Sequence, residues 1–340
     1  MITDTLIGFV AILAGGAMQG TFAVPLKFTR RWSWENIWLV YSTAGMLLLP
    51  WMVAFLVSPN LHAVYADASW QALVSAGVFG FGWGLGCIFC GLGVVALGIA
   101  LGSSIILGLA AALGSLLPLI VLQRDRLFSR GGVLTVAGVA VMLAGIAICA
   151  AAGRERDRLA RQEASGQPAR QSFLVGLLLC VASGIFSAFL NFGFAFGQEV
   201  IEIARRQGSS DLTAIYPLVA LMFTAGFVGN AGYSVFLLVR NKSWGRFAQA
   251  GSAGYWPLGL LMGVLVFGGF VLYGMGAARL GALGTSAGWA LFMAMMITAA
   301  NAAGFLTDEW KNAGTSAVRT MLRGTAVLLA AIVILGFAAG

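Results

Sequence analysis

No charged residue occurs between Asp67 and Arg124. As one α-helix that run would rise on the order of 80 Å at ~1.5 Å per residue, while the hydrocarbon of a bilayer is only about 30 Å thick. In water the run would be an insoluble surface. It therefore reads as two antiparallel helices in lipid, with a tight turn at Gly91, Gly93 and Gly98, because glycine tolerates turn dihedrals.

The rest of the chain repeats the pattern. Of its 340 residues 60% are hydrophobic and only 9% charged, and the mean hydropathy is +0.92. A soluble domain carries about 25% charged residues, so the class is all-α integral membrane protein. Barrel strands are excluded because the apolar runs are continuous rather than alternating. Ten spans are predicted, at 5–24, 34–57, 70–92, 97–122, 131–152, 172–198, 213–239, 256–278, 281–306 and 319–339. The opening MITDT has no basic segment and no small-residue cleavage site follows, so the first span is expected to be a retained helix. Cys87, Cys90, Cys149 and Cys180 all fall inside spans. The Cys87–Cys90 spacing lacks a second pair or a histidine to complete a metal site, and the four read as packing residues. No cofactor is implied.

The net charge of +8 is spread over short connections, which does not point to nucleic acid. It points to topology, because Lys and Arg collect on the cytoplasmic side of membranes. Lys27, Arg30, Arg31, Arg154, Arg156, Arg158, Arg161, Arg170, Arg240, Lys242, Arg246, Lys311, Arg319 and Arg323 fall on one side. Arg124, Arg126, Arg130, Arg205, Arg206 and Arg279 fall on the other. The richer side is predicted to be cytoplasmic, which places both termini outside, in the periplasm of a bacterial inner membrane.

Residues 90–104, CGLGVVALGIALGSS, are echoed by residues 273–286, YGMGAARLGALGTS. With one gap opposite Ile99 the two share Gly-x-Gly-x-x-x-Leu-Gly and then Ala-Leu-Gly-[Ser/Thr]-Ser. AGGAMQG (14–20) likewise resembles ASGIFSA (182–188), and Arg130-Gly131 resembles Arg323-Gly324. The polar stretch RERDRLARQEASGQPARQ reads as a cytoplasmic linker over 154–171, between five-helix repeats at 1–153 and 172–340. An odd number of spans per repeat inverts the second copy. The predicted architecture is thus ten transmembrane helices as two inverted five-helix repeats, a frame on which secondary transporters open a midplane site to each side in turn. Close packing of membrane helices explains each glycine singly, but not the duplicated phrase.

Residues 26–60, LKFTRRWSWENIWLVYSTAGMLLLPWMVAFLVSPN, carry a more specific signal. Their basic run, Trp-Ser-Trp-Glu, Leu-Pro-Trp and Pro-Asn resemble the L-rhamnose–proton symporter family of the drug/metabolite transporter superfamily. The Gly-Leu-Gly turn and the run Glu309-Trp310-Lys311-Asn312-Ala313-Gly314 resemble it as well. The resemblance implies a sugar substrate, rhamnose or another monosaccharide, and a co-transported proton. Lipid is the only other partner expected, for a monomer or a homodimer.

A sugar site combines an aromatic face with amide or hydroxyl groups in a mostly apolar pocket. Ser187, Asn191, Phe194 and Gln198 are spaced to share one face of the sixth span, where they either line a cavity or hydrogen-bond to neighbouring helices. Gln19 on the first span is expected to face them. Trp83, Tyr273 and Trp289 are candidate ring platforms, or else packing aromatics. Proton coupling needs a group that changes charge, yet no Asp, Glu or His sits mid-span. Glu35 is the first candidate, held by Lys27, Arg30 and Arg31, and Glu199 the second; a carboxylate at a helix start equally complements the helix dipole. An uncoupled facilitator or an exporter of another small metabolite remains the alternative. A membrane enzyme would need a buried nucleophile with a base or clustered metal ligands, and the spans hold neither.

Overall fold

A computed structural model describes residues 2–97, 99–163 and 173–339. Ten helical segments are long and apolar enough to span a membrane: Asp4–Phe28, Trp34–Val57, Trp70–Leu97, Leu101–Val121, Arg130–Leu159, Phe173–Arg206, Tyr216–Arg240, Tyr255–Arg279, Ala287–Leu306 and Gly314–Ala338. Among the described residues there is no strand. The helices are α1 (Ile2–Thr21), α2 (Trp34–Ser42), α3 (Leu49–Val57), α4 (Leu61–Asp67), α5 (Trp70–Leu97), α6 (Ile99–Val121), α7 (Arg130–Glu163), α8 (Phe173–Phe196), α9 (Gln198–Arg206), α10 (Tyr216–Arg240), α11 (Tyr255–Arg279), α12 (Ala287–Leu306) and α13 (Gly314–Ala339). Ten crossings put Ile2 and Ala339 on one face, the termini face, and Glu163 and Phe173 on the other, the linker face.

Local chemistry explains where helices bend or end. Between α2 and α3 the chain widens into a π-helical stretch, Thr43–Leu48. Pro50 follows at once; it has no N–H to give the preceding turn, and its ring would strike the carbonyl four residues back. The wider turn accommodates both. Gly45 in that stretch lies against α11, where a Cβ would fall 2.6 Å from the Gly263 Cα. α7 runs on to Glu163, so the first residues of the stretch read as a linker are helical. Arg, Glu and Leu there are good helix formers, and polarity alone does not end a helix.

The turn in the uncharged run also differs from expectation. Gly91 and Gly93 are inside α5, and position 98 lies outside the described residues. Gly93 serves packing instead, since a Cβ there would meet the Cys180 Sγ at 2.7 Å.

The principal helix contacts are α5 with α8 and α1 with α11, α6 with α8 and α1 with α12, and α5 with α10. α11 packs on α2 and the π-helical stretch, α6 on α7, α12 on α13, and α7 on α13. The core where these meet is rich in aromatics, including Trp83, Phe223, Phe270, Tyr273, Trp289 and Phe292.

Candidate functional site

Two cavities enter this bundle from opposite faces. The one on the termini face encloses about 560 Å³ and lies between the α6–α7 connection, the α8–α9 junction and the α11–α12 turn. Gln123, Gln198 and Thr285 supply its uncharged polar groups, and Asp125, Arg126 and Arg205 stand at its mouth. Gln123 donates to the Thr285 hydroxyl at 3.1 Å and accepts from Ser286 at 2.6 Å. Gln198 donates to the Phe194 carbonyl at 2.7 Å.

Below this cavity the bundle is closed by a hydrogen-bonded layer. Asn191 is fully buried. Its Nδ2 donates to the Gly114 carbonyl at 2.6 Å and to the Thr285 carbonyl at 2.7 Å, and its Oδ1 accepts from the Tyr273 hydroxyl. Trp289 donates its indole N–H to the Ala110 carbonyl at 3.0 Å. The Tyr273 ring meets Phe194 at 5.5 Å, Trp289 at 5.2 Å and Phe292 at 5.0 Å between centroids. A buried amide must find partners inside the protein, and both of Asn191's N–H groups are committed. The layer joins α8, α11 and α12 to α6.

The linker-face cavity encloses about 370 Å³, within the ~300–1,000 Å³ of small-molecule sites. Gln19 from α1, Ser103 from α6, Asn301 from α12 and the rings of Phe22 and Trp310 line it. The Gln19 Oε1 is buried and accepts no hydrogen bond. Asn301 donates to the Cys149 Sγ at 3.4 Å and to the Thr325 hydroxyl at 3.3 Å. At the mouth, Glu309 pairs with Lys27 and, at 3.5 Å, with Arg156. The Arg156 guanidinium lies 5.1 Å from the centre of the Trp310 ring.

Asn191, Phe194, Gln198, Tyr273 and Trp289 thus come together at the termini-face cavity and its floor. Ser187 shares α8 with Asn191 and Phe194 but lies against α5, its backbone N 3.0 Å from where a Cβ on Gly86 would sit; Gln198, expected on the same helix face, instead begins α9 after a break at Gly197. Trp83 packs against Phe223 and, edge-on, Phe270, at 5.1 Å and 5.5 Å between centroids, and lines neither the termini-face nor the linker-face cavity. Gln19 faces the linker-side cavity rather than the Asn191 stripe. Glu35 is buried and held by Ser243 at 2.6 Å and Asn241 at 3.1 Å. Of its three expected cations, Lys27 pairs instead with Glu309 and Arg31 donates to the Ala250 carbonyl. Glu199 accepts from the Ser69 N–H at 2.8 Å and hydroxyl at 3.0 Å, fixing the start of α5. Among the described residues no three His, Cys, Asp or Glu side chains gather as metal ligands.

Sequence reasoning did not single out Gln123, Asn301, Arg156 or Glu309 as site residues. One signal was available. The duplicated phrase ends in Ser103-Ser104 and in Thr285-Ser286; Ser103 and Ser104 line the linker-face cavity and Thr285 the termini-face one.

Residues 1–339 match the family described as L-rhamnose-proton symport protein. The chain belongs to that family. Similar proteins include the L-rhamnose-proton symporters of Escherichia coli O1:K1 and Shigella boydii serotype 18, each 30% identical over 333 residues and covering 95% of both chains. This family member is therefore a multi-pass membrane transporter and not an enzyme.

Proposed function

We propose that this protein carries a monosaccharide of the L-rhamnose type, together with a proton, across the bacterial inner membrane by alternating access. The observation that carries the reading is the pair of cavities on opposite faces, separated by the sealed layer around Asn191, Tyr273 and Trp289. A carrier, unlike a channel, needs such a partition. Its opening joins a central site to one face while the other is closed.

Inverted repeats at 1–153 and 172–340 supply the means. Exchanging the halves turns the α5–α8 contact into α11–α1, α6–α8 into α12–α1, and α6–α7 into α12–α13, while α7–α13 maps onto itself; all of these contacts occur. Two similar halves can adopt each other's conformation. The linker face is cytoplasmic in this reading because it holds most of the basic residues, and the termini are periplasmic. The sugar occupies the linker-side cavity, where hydroxyls would satisfy the orphaned Gln19 Oε1 and engage Ser103 and Asn301. Phe22 and Trp310 offer faces to its C–H surface.

The test is uptake into proteoliposomes with an imposed pH gradient, using labelled L-rhamnose first and other monosaccharides in turn. Accumulation above equilibrium for at least one sugar is the expected result. Saturable entry that only equilibrates would refute proton coupling, and no saturable flux of any sugar would refute the substrate class.

A further inference from the structure

A groove of about 400 Å³ lies on the outside of the bundle between the second span and α11. Leu39 and Leu48 line it from the second span and Leu260 from α11, while Trp244, Phe247 and Trp256 stand at its linker-face end. Leu48, Trp244, Trp256 and Leu260 are exposed, and among the described residues no charged side chain lines the groove. Its walls belong largely to the segments Trp34–Val57 and Tyr255–Arg279 that cross the membrane, so this surface meets lipid rather than water. From Leu39 to Leu48 the backbone advances roughly 13 Å at about 1.5 Å per residue, close to half of the ~30 Å hydrocarbon thickness. One acyl chain of one leaflet has that reach and that chemistry.

The linker-face end of the groove is positively charged. Arg31 donates to the Ala250 carbonyl, and the Trp32 indole donates to the Arg246 carbonyl at 3.0 Å, so the connection after α1 is tied to the connection after α10. The Trp32 ring lies 5.2 Å from Phe247 and 5.4 Å from Trp256 between centroids, which sets this tie beside the groove. Arg30, Arg240 and Lys242 lie on the same two connections, and all five cations are exposed. Among the described residues none of the five forms an ion pair. Glu35 is the one acid in 28–48 and 240–262; it is buried, and its Oε1 takes bonds from Ser243 at 2.6 Å and Asn241 at 3.1 Å.

We propose that this groove binds an anionic phospholipid of the linker-side leaflet. One acyl chain lies against Leu39, Leu48 and Leu260, and the phosphate is drawn to Arg31 and Arg246. Basic clusters at the ends of spans attract anionic headgroups, each Lys or Arg strengthening the attraction by about fivefold. The tryptophans sit where the apolar wall gives way to charge, the level that indole rings favour in a bilayer. A zwitterionic lipid carries its own ammonium and leaves the guanidinium groups without a net counter-charge. The groove shares no lining residue with either sugar cavity, and the site does not depend on what those cavities carry.

The test places the full chain in phosphatidylcholine bilayers with a trace of phosphatidylglycerol whose acyl chain carries a photoactivatable diazirine. A phosphatidylcholine with the same labelled chain is the comparison. After illumination, residues 39–48 and 244–260 should carry about 25-fold more label from the anionic probe, the product of two cations at about fivefold each. Arg31→Gln or Arg246→Gln alone should reduce that excess to about fivefold, and the two together to within about twofold of parity. Arg124→Gln, which removes an exposed arginine on the termini face, should leave it unchanged. Leu260→Trp narrows the groove and should lower labelling of residues 39–48 while the headgroup cations remain. Equal labelling by the two probes would make the groove a seat for ordinary boundary lipid and overturns the proposal. An excess that survives the double substitution, or that Arg124→Gln reduces as much, overturns it too. Should the double variant not fold, the parent decides: an anionic excess spread evenly over the linker-face ends of all spans overturns the site, and one confined to residues 39–48 and 244–260 upholds it.

Discussion

Asn191→Ala isolates the energetics of the layer between the cavities. The substitution deletes two donated bonds, to Gly114 and Thr285, and the acceptor of the Tyr273 hydroxyl. Double-mutant cycles inside membrane proteins average about 0.6 kcal/mol per such bond, and the general range is about 0.5–1.5 kcal/mol. Three bonds therefore amount to about 2–3 kcal/mol. Stranding the buried Tyr273 hydroxyl adds about 1 kcal/mol or more, so the expected loss is about 3–4 kcal/mol. Tyr273→Phe breaks a single bond and should cost about 1 kcal/mol. In the double variant the shared bond is lost only once and no hydroxyl is stranded, so the two effects should fall short of additivity by about 2 kcal/mol. Reversible unfolding in mixed micelles measures all three, and proteoliposome uptake per folded molecule reports function. An Asn191→Ala protein within about 0.5 kcal/mol of its parent would refute the argument. The amide would then belong to the substrate rather than to the partition.

Gln19→Ala should behave in the opposite way. The orphaned Oε1 contributes nothing to the resting fold, so stability changes by less than about 0.5 kcal/mol, while the sugar's KM rises roughly two- to tenfold through loss of one hydrogen bond; an unchanged KM would remove Gln19 from the site. A reporter active only in the cytoplasm should work when inserted within residues 164–171 and be silent when fused after Gly340, and the reverse pattern would invert the assignment of faces. Gly45→Ala puts a methyl group 2.6 Å from the Gly263 Cα and should lower stability by about 1–3 kcal/mol. Gly77→Ala, with nothing within 4 Å, should be neutral or stabilising by up to about 1 kcal/mol; equal thermal shifts in these two variants would refute the close approach of α11 to the second span.

The number and order of the spans were legible because lipid imposes a one-dimensional rule: each crossing needs about 20 apolar residues. Boundaries were less so. α7 continues to Glu163 through residues whose polarity says only that they leave the hydrocarbon, not that they leave the helix. Gly93 shows the same limit, since a glycine that permits a turn also permits the close approach to Cys180 that it makes here.

At the site, helical periodicity put Asn191 and Phe194 on one face before any contact was known. Which surface that face would meet was a matter of tertiary structure alone. The acceptors that commit Asn191 and Trp289 are the backbone carbonyls of Gly114, Thr285 and Ala110, groups every residue possesses and no sequence pattern marks. Charge pairing was hidden for a related reason. Glu35 has three basic residues close by in sequence yet takes its bonds from Asn241 and Ser243, because α2 packs beside the connection that follows α10. Lys27 reaches instead across the bundle to Glu309. Hydrophobicity acts residue by residue and can be read along a chain, whereas a hydrogen bond or an ion pair exists only when two groups come within a few ångströms, and for these residues the folding of ten helices decides which groups those are.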